Sequence, residues 1–295
     1  MNSIEGKKAV VLGGESGLLG QALVEELRKA GVKISATCRS SLDPMNPEAL
    51  SAFLEREEPD MVFNTVAHTQ VDAAEEEADE SRRLNTSLPE RLGRLSARLD
   101  FLLVHFSTDF VFDGQQERAY TEEDSTNPLS VYGRTKHKGE CKLLEMGLDR
   151  VLIIRSAWLF GPGRDNFVSK ILRLARDRDA LSVVHDQTGS PTYTPDLARY
   201  TLQLVESGAS GLFHIVNSGQ ATWCELAAEA IKVAGLTCRV EAVGTEDYPT
   251  KATRPAYSQL NTEKFSQATG MTPRPWAQAL RDYVYTDLAD EFPEE

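Results

Sequence analysis

The sequence predicts an α/β fold: a Rossmann-like, doubly wound parallel sheet with a smaller, interleaved C-terminal substrate-binding domain. Short apolar strands alternate with amphipathic helices over the first half of the chain, which is the pattern of βαβ units. A glycine-rich turn joins the first strand to the first helix. The strands are apolar throughout rather than alternating, as expected for a sheet covered by helices on both faces.

The predicted elements follow one another along the chain. Strands are predicted at 7–14, 32–38, 61–67, 100–107 and 150–160. Apolar residues recur at helical spacing in four stretches, which are 18–31, 46–60, 79–99 and 165–178. Beyond residue 150 the alternation loosens. We therefore predict a dinucleotide-binding domain at 1–160 and a mainly substrate-binding part at 161–295, some of whose segments return to the first domain.

Composition and charge argue against several classes of function. The 295 residues are 41% hydrophobic, and none of the apolar runs reaches the roughly 20 residues that cross a bilayer. A formal net charge of −13 opposes binding to nucleic acid or to an anionic membrane. The N-terminal residues do not resemble a signal peptide, so a cytoplasmic location is expected. The cysteines lack metal-ligand spacing and are expected to stay reduced; they are Cys38, Cys141, Cys224 and Cys238.

The turn LGGESGLLGQ, at 12–21, carries the first functional signal. Gly14, Gly17 and Gly20 lie between the first strand and the first helix. Glycines there allow a tight turn, a close approach of the backbone to a diphosphate, and close packing of helix on strand. The free N–H groups of the helix N-terminus then face the phosphates. The position of this turn predicts a dinucleotide site.

The residues after the second strand bear on which dinucleotide is bound. An acidic residue there hydrogen-bonds the ribose of NAD, whereas an arginine accommodates the 2′-phosphate of NADP. The strand ends in TCRSS, which offers Arg39 and Ser40. We expect NADPH, with NADH possible; a solvated surface arginine is the alternative interpretation.

The stretch VYGRTKHKGE, at 131–140, places Tyr132 four residues before Lys136, on one helix face. Such a pair alone is more often ordinary surface. Beside a dinucleotide site the pair becomes a candidate for catalysis, because carbonyl reduction needs a proton donor and a nearby ammonium lowers the pKa of a phenol. Ser107 and Thr108 end the neighbouring strand, where α/β sheets bind ligands. The solvent face of this turn is predicted to carry His137, Lys138 and Glu140.

These blocks, with STDFVFDG at 107–114, resemble the extended short-chain dehydrogenase/reductases, and among them the dTDP-4-dehydrorhamnose reductases. The resemblance continues in order over nearly the whole chain. Further blocks that carry it are NTVAHTQVDAAE (64–75), SAWLFGPGRDNFV (156–168), DQTGSPTYTPDLA (186–198) and RPAYSQLNTEKF (254–265). It implies reduction of the C4 keto group of dTDP-6-deoxy-L-lyxo-4-hexulose to dTDP-L-rhamnose.

The resemblance also implies a catalytic set. Thr108 would hydrogen-bond the C4 carbonyl oxygen, Tyr132 would donate the proton, and Lys136 would hold the nicotinamide ribose and lower the Tyr132 pKa. Ser107 is left without a role beyond a strand-end cap. The implied cofactor contacts are Gly14, Ser16, Gly17, Leu18, Leu19, Arg39, Ser40, Asp43, Pro44, Val66, Ala67, His68, Tyr132 and Lys136. Glu15 should point away from phosphate, and His68 is alternatively a packed loop histidine.

For the substrate, the resemblance implies Thr108, Trp158, Gln187, Thr192 and Arg254. Trp158 would lie against the sugar and Arg254 near the diphosphate; a core tryptophan and a solvated arginine are the alternatives. Gln187 and Thr192 lie in a Gly- and Pro-rich stretch that turn formation also explains. Some family members bind magnesium through glutamates at a dimer contact. We cannot place such a site here, so magnesium stays uncertain and no metal is predicted in the monomer.

Two other functions stay open at this point. The first is a non-catalytic, NADP-binding regulatory subunit resembling the beta subunit of methionine adenosyltransferase. The second is a reductase or epimerase of another nucleotide sugar, since the Tyr–Lys pair is shared. The blocks SAWLFGPG and DQTGSPTYTP resemble the reductase more. A dTDP-sugar is the expected partner, with neither nucleic acid nor membrane, and the chain is expected to be a monomer or homodimer.

Overall fold

The structure is a computed structural model that describes residues 3–292. Its central feature is a parallel sheet of six strands. Its strands are β1 (Lys8–Leu12), β2 (Lys33–Ala36), β3 (Met61–Asn64), β4 (Leu102–Thr108), β5 (Val151–Ser156) and β10 (Gly211–His214). They lie in the order β2–β1–β3–β4–β5–β10. The chain reverses direction across the sheet after β2, so the loops after β1 and β3 diverge and open a crevice.

Helices cover both faces of this sheet, as predicted. The α-helices of the described chain are α1 (Leu18–Lys29), α2 (Pro47–Glu57), α3 (Val71–Glu76), α4 (Ala78–Arg82), α5 (Leu88–Leu99), α6 (Val131–Glu145), α7 (Phe167–Arg176), α8 (Thr194–Ser207), α9 (Trp223–Val233), α10 (Glu263–Thr269) and α11 (Trp276–Asp282). One core holds α1 and α8 against one face, and a second holds α2, α5 and α6 against the other. Successive residues of β1 alternate between the two cores, which explains its continuous apolar run.

The C-terminal half of the chain contributes to the sheet and also forms a core of its own. Strand β10 pairs with β5, and α8 packs on α1. The remaining strands are β6 (Leu159–Phe160), β7 (Ala180–Val184), β8 (Thr188–Gly189), β9 (Thr192–Tyr193), β11 (Ala221–Thr222) and β12 (Arg239–Val243). A third core joins α7, α9, α11 and β7. The predicted boundary at 160 stays a prediction, and residues 1–2 and 293–295 lie outside the described range.

Two predicted elements differ from the structure. The strand predicted at 150–160 breaks at Trp158, whose φ of 49° is left-handed, so the chain leaves the sheet and forms β6 beside β9. The helix predicted at 79–99 is interrupted by a π-helical turn, Arg83–Ser87. That turn places Asn85, whose side-chain N–H bonds the Thr135 hydroxyl of α6.

Three further observations concern membrane-spanning helices, thiols and metal ligands. Within residues 3–292, none of the helices combines the length and apolarity that spanning a membrane requires. The four cysteines are free thiols. No cluster of three or more potential metal-ligating His, Cys, Asp or Glu side chains occurs in that same range.

Candidate active site

The glycine turn lies at the crevice where the sheet changes direction. Gly17 caps α1 without a side-chain hydrogen bond, and the first turn of the helix holds no acidic residue. A Cβ on Gly17 would lie 2.8 Å from the Gly13 carbonyl oxygen, and one on Gly20 would meet the same oxygen. The backbone is therefore packed too closely for side chains, and no side chain caps the helix N-terminus. These features fit a dinucleotide diphosphate.

The other predicted cofactor residues are placed around this turn. Glu15 is exposed, as expected, and Leu19 is buried. Arg39 is exposed at the end of β2 and forms no ion pair within the described part of the chain. Asp43 accepts a hydrogen bond from the Met45 backbone N–H, an Asx turn. Of the remaining predicted residues, Gly14, Ser16 and Leu18 lie after β1, Ser40 and Pro44 after β2, and Val66 and Ala67 after β3.

His68 follows β3 but is held by the protein itself. Its ring Nδ1 lies 2.6 Å from the Ser81 hydroxyl, and its Nε2 lies 3.2 Å from a Glu77 carboxylate oxygen. Its backbone N–H donates to the Asn85 side chain, which donates back to the His68 carbonyl. This is the packed loop histidine of the alternative interpretation. All its hydrogen-bonding groups have protein partners, so a cofactor contact here would be nonpolar.

Thr108, Tyr132 and Lys136 come together at the C-terminal end of β4. Thr108 is the last residue of that strand, and α6 carries the other two, with Ser130 capping the helix by accepting from the Gly133 N–H. Gly133 lets the helix approach, because a Cβ there would collide with the Phe110 carbonyl oxygen. The residues that sequence alone proposed as catalytic therefore share one end of the sheet.

The electrostatics of this set differ from the expectation that Lys136 lowers the pKa of Tyr132. Burial raises the pKa of Tyr132 to about 12, which the Thr108 hydroxyl opposes and the Asp109 charge increases. The Lys136 ammonium instead donates to the backbone carbonyl of Phe106, and burial lowers its pKa to about 8, opposed by Glu140. In this structure burial is the largest influence on the pKa of Tyr132.

The placement predicted for Glu140 is wrong. It is fully buried, and both of its carboxylate oxygens accept from the Arg155 guanidinium of β5, at 3.0 and 2.7 Å. Burial alone would raise the pKa of Glu140, but attraction to Arg155 lowers it to about 2. Of the other two residues, His137 is half-buried and Lys138 is exposed. The missed signal was the spacing, because Glu140 continues the 132–136 face by one more turn.

The predicted substrate residues are split between two places. A cleft of about 580 Å³ in the C-terminal half is lined by Gln187, Trp223, Tyr248 and Arg254, among others. Trp158 stacks on Trp223, with ring centroids 3.5 Å apart, and thereby supports one wall. Thr192 is not brought to this cleft, because its buried hydroxyl donates to the Ser190 carbonyl within the turn.

Arg254 and Gln187 are both engaged within the protein. The Arg254 guanidinium forms a two-bond ion pair with Asp72 of α3, at 2.7 and 3.2 Å. Lys251 pairs with Glu76 on the same helix, at 2.5 Å. The Gln187 side chain donates to the Thr245 hydroxyl. Residues 251–254 are thus bound to α3, the helix that follows β3. These contacts bring the cleft close to the crevice.

Comparison with known proteins identifies the family of this chain. The family model described as "RmlD substrate binding domain" matches residues 8–288. The chain belongs to this family. It is similar to the dTDP-4-dehydrorhamnose reductase of Aggregatibacter actinomycetemcomitans, with 36% identity over 92% of this chain and 97% of that one. It is also similar to the dTDP-4-keto-6-deoxy-D-glucose reductase of Streptomyces niveus, with 37% identity over 94% of this chain and 97% of that one.

A solved structure extends the comparison to three dimensions. The dTDP-4-dehydrorhamnose reductase of Bacillus anthracis, solved in complex with NADP, superposes with a TM-score of 0.91. It is 29% identical, and the alignment covers 95% of this chain and 99% of that one. The predicted family resemblance and the predicted fold class are both confirmed by these comparisons.

The buried pair of Glu140 and Arg155 gives a prediction for stability. Glu140→Gln leaves the guanidinium buried without a counter-charge, so the free energy of unfolding should fall by about 3–5 kcal/mol. Glu145→Gln on the same helix removes an exposed pair with Lys142 and should cost about 0–1 kcal/mol. Urea denaturation at neutral pH measures both. Equal losses in the two variants would contradict the importance of the buried pair.

Proposed function

We propose that the protein is an NADPH-dependent reductase that converts dTDP-6-deoxy-L-lyxo-4-hexulose to dTDP-L-rhamnose. The observation that carries the proposal is the meeting of Thr108, Tyr132 and Lys136 at the end of β4, beside an uncapped helix N-terminus suited to a dinucleotide. The names of the relatives support the reaction and the nucleotide sugar. We expect it to act in the cytoplasm as a monomer or homodimer.

Each side chain has a task in this reaction. When bound, NADPH supplies the hydride that the carbonyl carbon accepts. Tyr132 donates its phenolic proton to the carbonyl oxygen, and its pKa of about 12 keeps that proton in place at neutral pH. Thr108 hydrogen-bonds the reacting oxygen. Lys136, buried at the Phe106 carbonyl, is positioned to bond the ribose hydroxyls.

The cleft in the C-terminal half is proposed to hold the nucleotide of the substrate. Trp223, supported by Trp158, offers an aromatic wall, and Arg254 offers a guanidinium at the rim. An arginine suits a diphosphate because it forms paired, charge-assisted hydrogen bonds. To reach a diphosphate, Arg254 would exchange at least part of its ion pair with Asp72.

A second candidate substrate is dTDP-4-keto-6-deoxy-D-glucose. The similarity to the Streptomyces niveus protein favours it, and the same three side chains would serve. Both 4-keto sugars should be prepared enzymatically and supplied with NADPH, whose absorbance band is followed. Oxidation with the L-lyxo sugar, and a product with the rhamno configuration, would support the first proposal. Oxidation with the other sugar alone would support the second, and none with either would overturn both.

Tyr132→Phe tests the proton donor. The ring stays and the phenol is lost, so turnover should fall by about 10²–10⁴-fold. The dissociation constant for NADPH, measured by fluorescence, should stay within about threefold, since a loss of more than that would correspond to over half a kcal/mol of binding. Tyr285→Phe, at an exposed tyrosine, is the matched control and should leave turnover unchanged. Near-wild-type turnover in Tyr132→Phe would rule out the assigned role.

Arg39→Ala tests the choice of cofactor. An exposed guanidinium that bonds a 2′-phosphate contributes about 1.5–3 kcal/mol, so the KM for NADPH should rise about 10-fold or more. The KM for NADH should change little. Arg94→Ala removes the same charge from α5 and serves as the control. An unchanged preference for NADPH in Arg39→Ala would show that other groups select the cofactor.

A further inference from the structure

Asp109 is a buried carboxylate next to the proposed catalytic hydroxyl, and the reaction as proposed gives it no task. It follows Thr108 at the end of β4 and is 2% exposed. One carboxylate oxygen accepts from the Thr108 hydroxyl at 3.0 Å, and the other accepts from the Ser258 hydroxyl at 2.6 Å. No cation pairs with it anywhere in residues 3–292, which is unusual for a buried charge.

The hydrogen bonds fix where the proton of Thr108 points. An ionised carboxylate only accepts, so both hydroxyls must direct their protons toward Asp109. The Thr108 oxygen also accepts from the Phe110 backbone N–H, at 3.2 Å. Its single proton is then directed to Asp109, and the hydroxyl has no proton left to donate. A neutral Asp109 would change this, because its own O–H could donate and free the Thr108 proton.

We propose that Asp109 is a positioning residue whose protonation state decides whether Thr108 can donate a hydrogen bond to the reacting oxygen. The inference rests on the proposed reductase function. Neutral Asp109 releases the Thr108 proton toward the substrate, and ionised Asp109 turns that proton away. The Ser258 hydroxyl also donates to the Asp109 carboxylate, so the segment after Arg254 helps to determine the direction of the Thr108 hydroxyl.

The surroundings of Asp109 place the ionisation of its carboxyl group within an accessible pH range. Burial raises its pKa to about 6, and the Ser258 and Thr108 hydroxyls oppose that rise. The ionisable group that faces it from α6, among the described residues, is Tyr132, which stays protonated because its pKa is about 12. Strand β4 contributes Thr108 and the C-terminal segment contributes Ser258; neither titrates. Activity should therefore fall as the pH rises through the pKa of Asp109.

Single-turnover NADPH oxidation at saturating 4-keto sugar tests the proposal, since it separates chemistry from product release. In the wild type, the rate should fall about tenfold between about pH 5 and about pH 7, as one group ionises. Asp109→Asn stays neutral, so its rate should be flat over this range. Ser258→Ala removes a hydrogen bond to the ionised carboxylate and should move the inflection to higher pH.

The controls separate this role from others. Asp149→Asn removes the same charge from an exposed position before β5, at the opposite end of the sheet, and should keep the wild-type profile. The NADPH dissociation constant should not follow the inflection in any variant. A wild type without an inflection, or an Asp109→Asn enzyme that keeps it, would overturn the proposal. A wild type that oxidises NADPH with neither sugar would instead overturn the proposed function.

Discussion

The buried ion pair between Glu140 and Arg155 is the contact on which the geometry of the candidate active site depends. It joins α6, which carries Tyr132 and Lys136, to β5, the neighbour of the strand that ends in Thr108. Charges are costly to bury unless both partners are hydrogen-bonded, and here two parallel bonds meet that condition. The pair therefore fixes the position of α6 along the strand direction of the sheet. Apolar packing alone resists movement of the helix in this direction less.

The same pair sets the electrostatic surroundings of the buried ammonium. Burial lowers the pKa of Lys136 to about 8, and the negative charge of Glu140, one helical turn away, opposes that decrease. Arg155 prevents Glu140 from taking up a proton, since its attraction lowers the Glu140 pKa to about 2. Lys136 thus stays largely charged near neutral pH because Glu140, on the same helix, is held ionised by Arg155 of β5.

Much of this arrangement could be predicted from the sequence, and the limits have physical causes. The sheet and the glycine turn could be predicted from local patterns. Apolar runs indicate the burial of the same residues, and glycines indicate the backbone conformation at their own positions. The predicted solvent exposure of Glu140 is wrong because a charged residue usually faces water, whereas its spacing from Lys136 places it on the buried face of α6. Arg155 was a charge inside an apolar strand, which was a usable signal. The partner of Asp109, Ser258, lies 149 positions away, and no local pattern reveals such a contact.

Contacts of that long range connect the two halves of the site. Arg254 and Lys251 bind the acidic side chains of α3, and four residues beyond Arg254, Ser258 binds Asp109 beside the Thr108 hydroxyl. One short segment therefore touches the crevice, the cleft and the end of β4. A ligand diphosphate that drew Arg254 away from Asp72 would disturb the same segment that holds Asp109 through Ser258. The backbone of 254–258 therefore joins the ion pair of Arg254 with Asp72 to the hydrogen bond of Ser258 with Asp109.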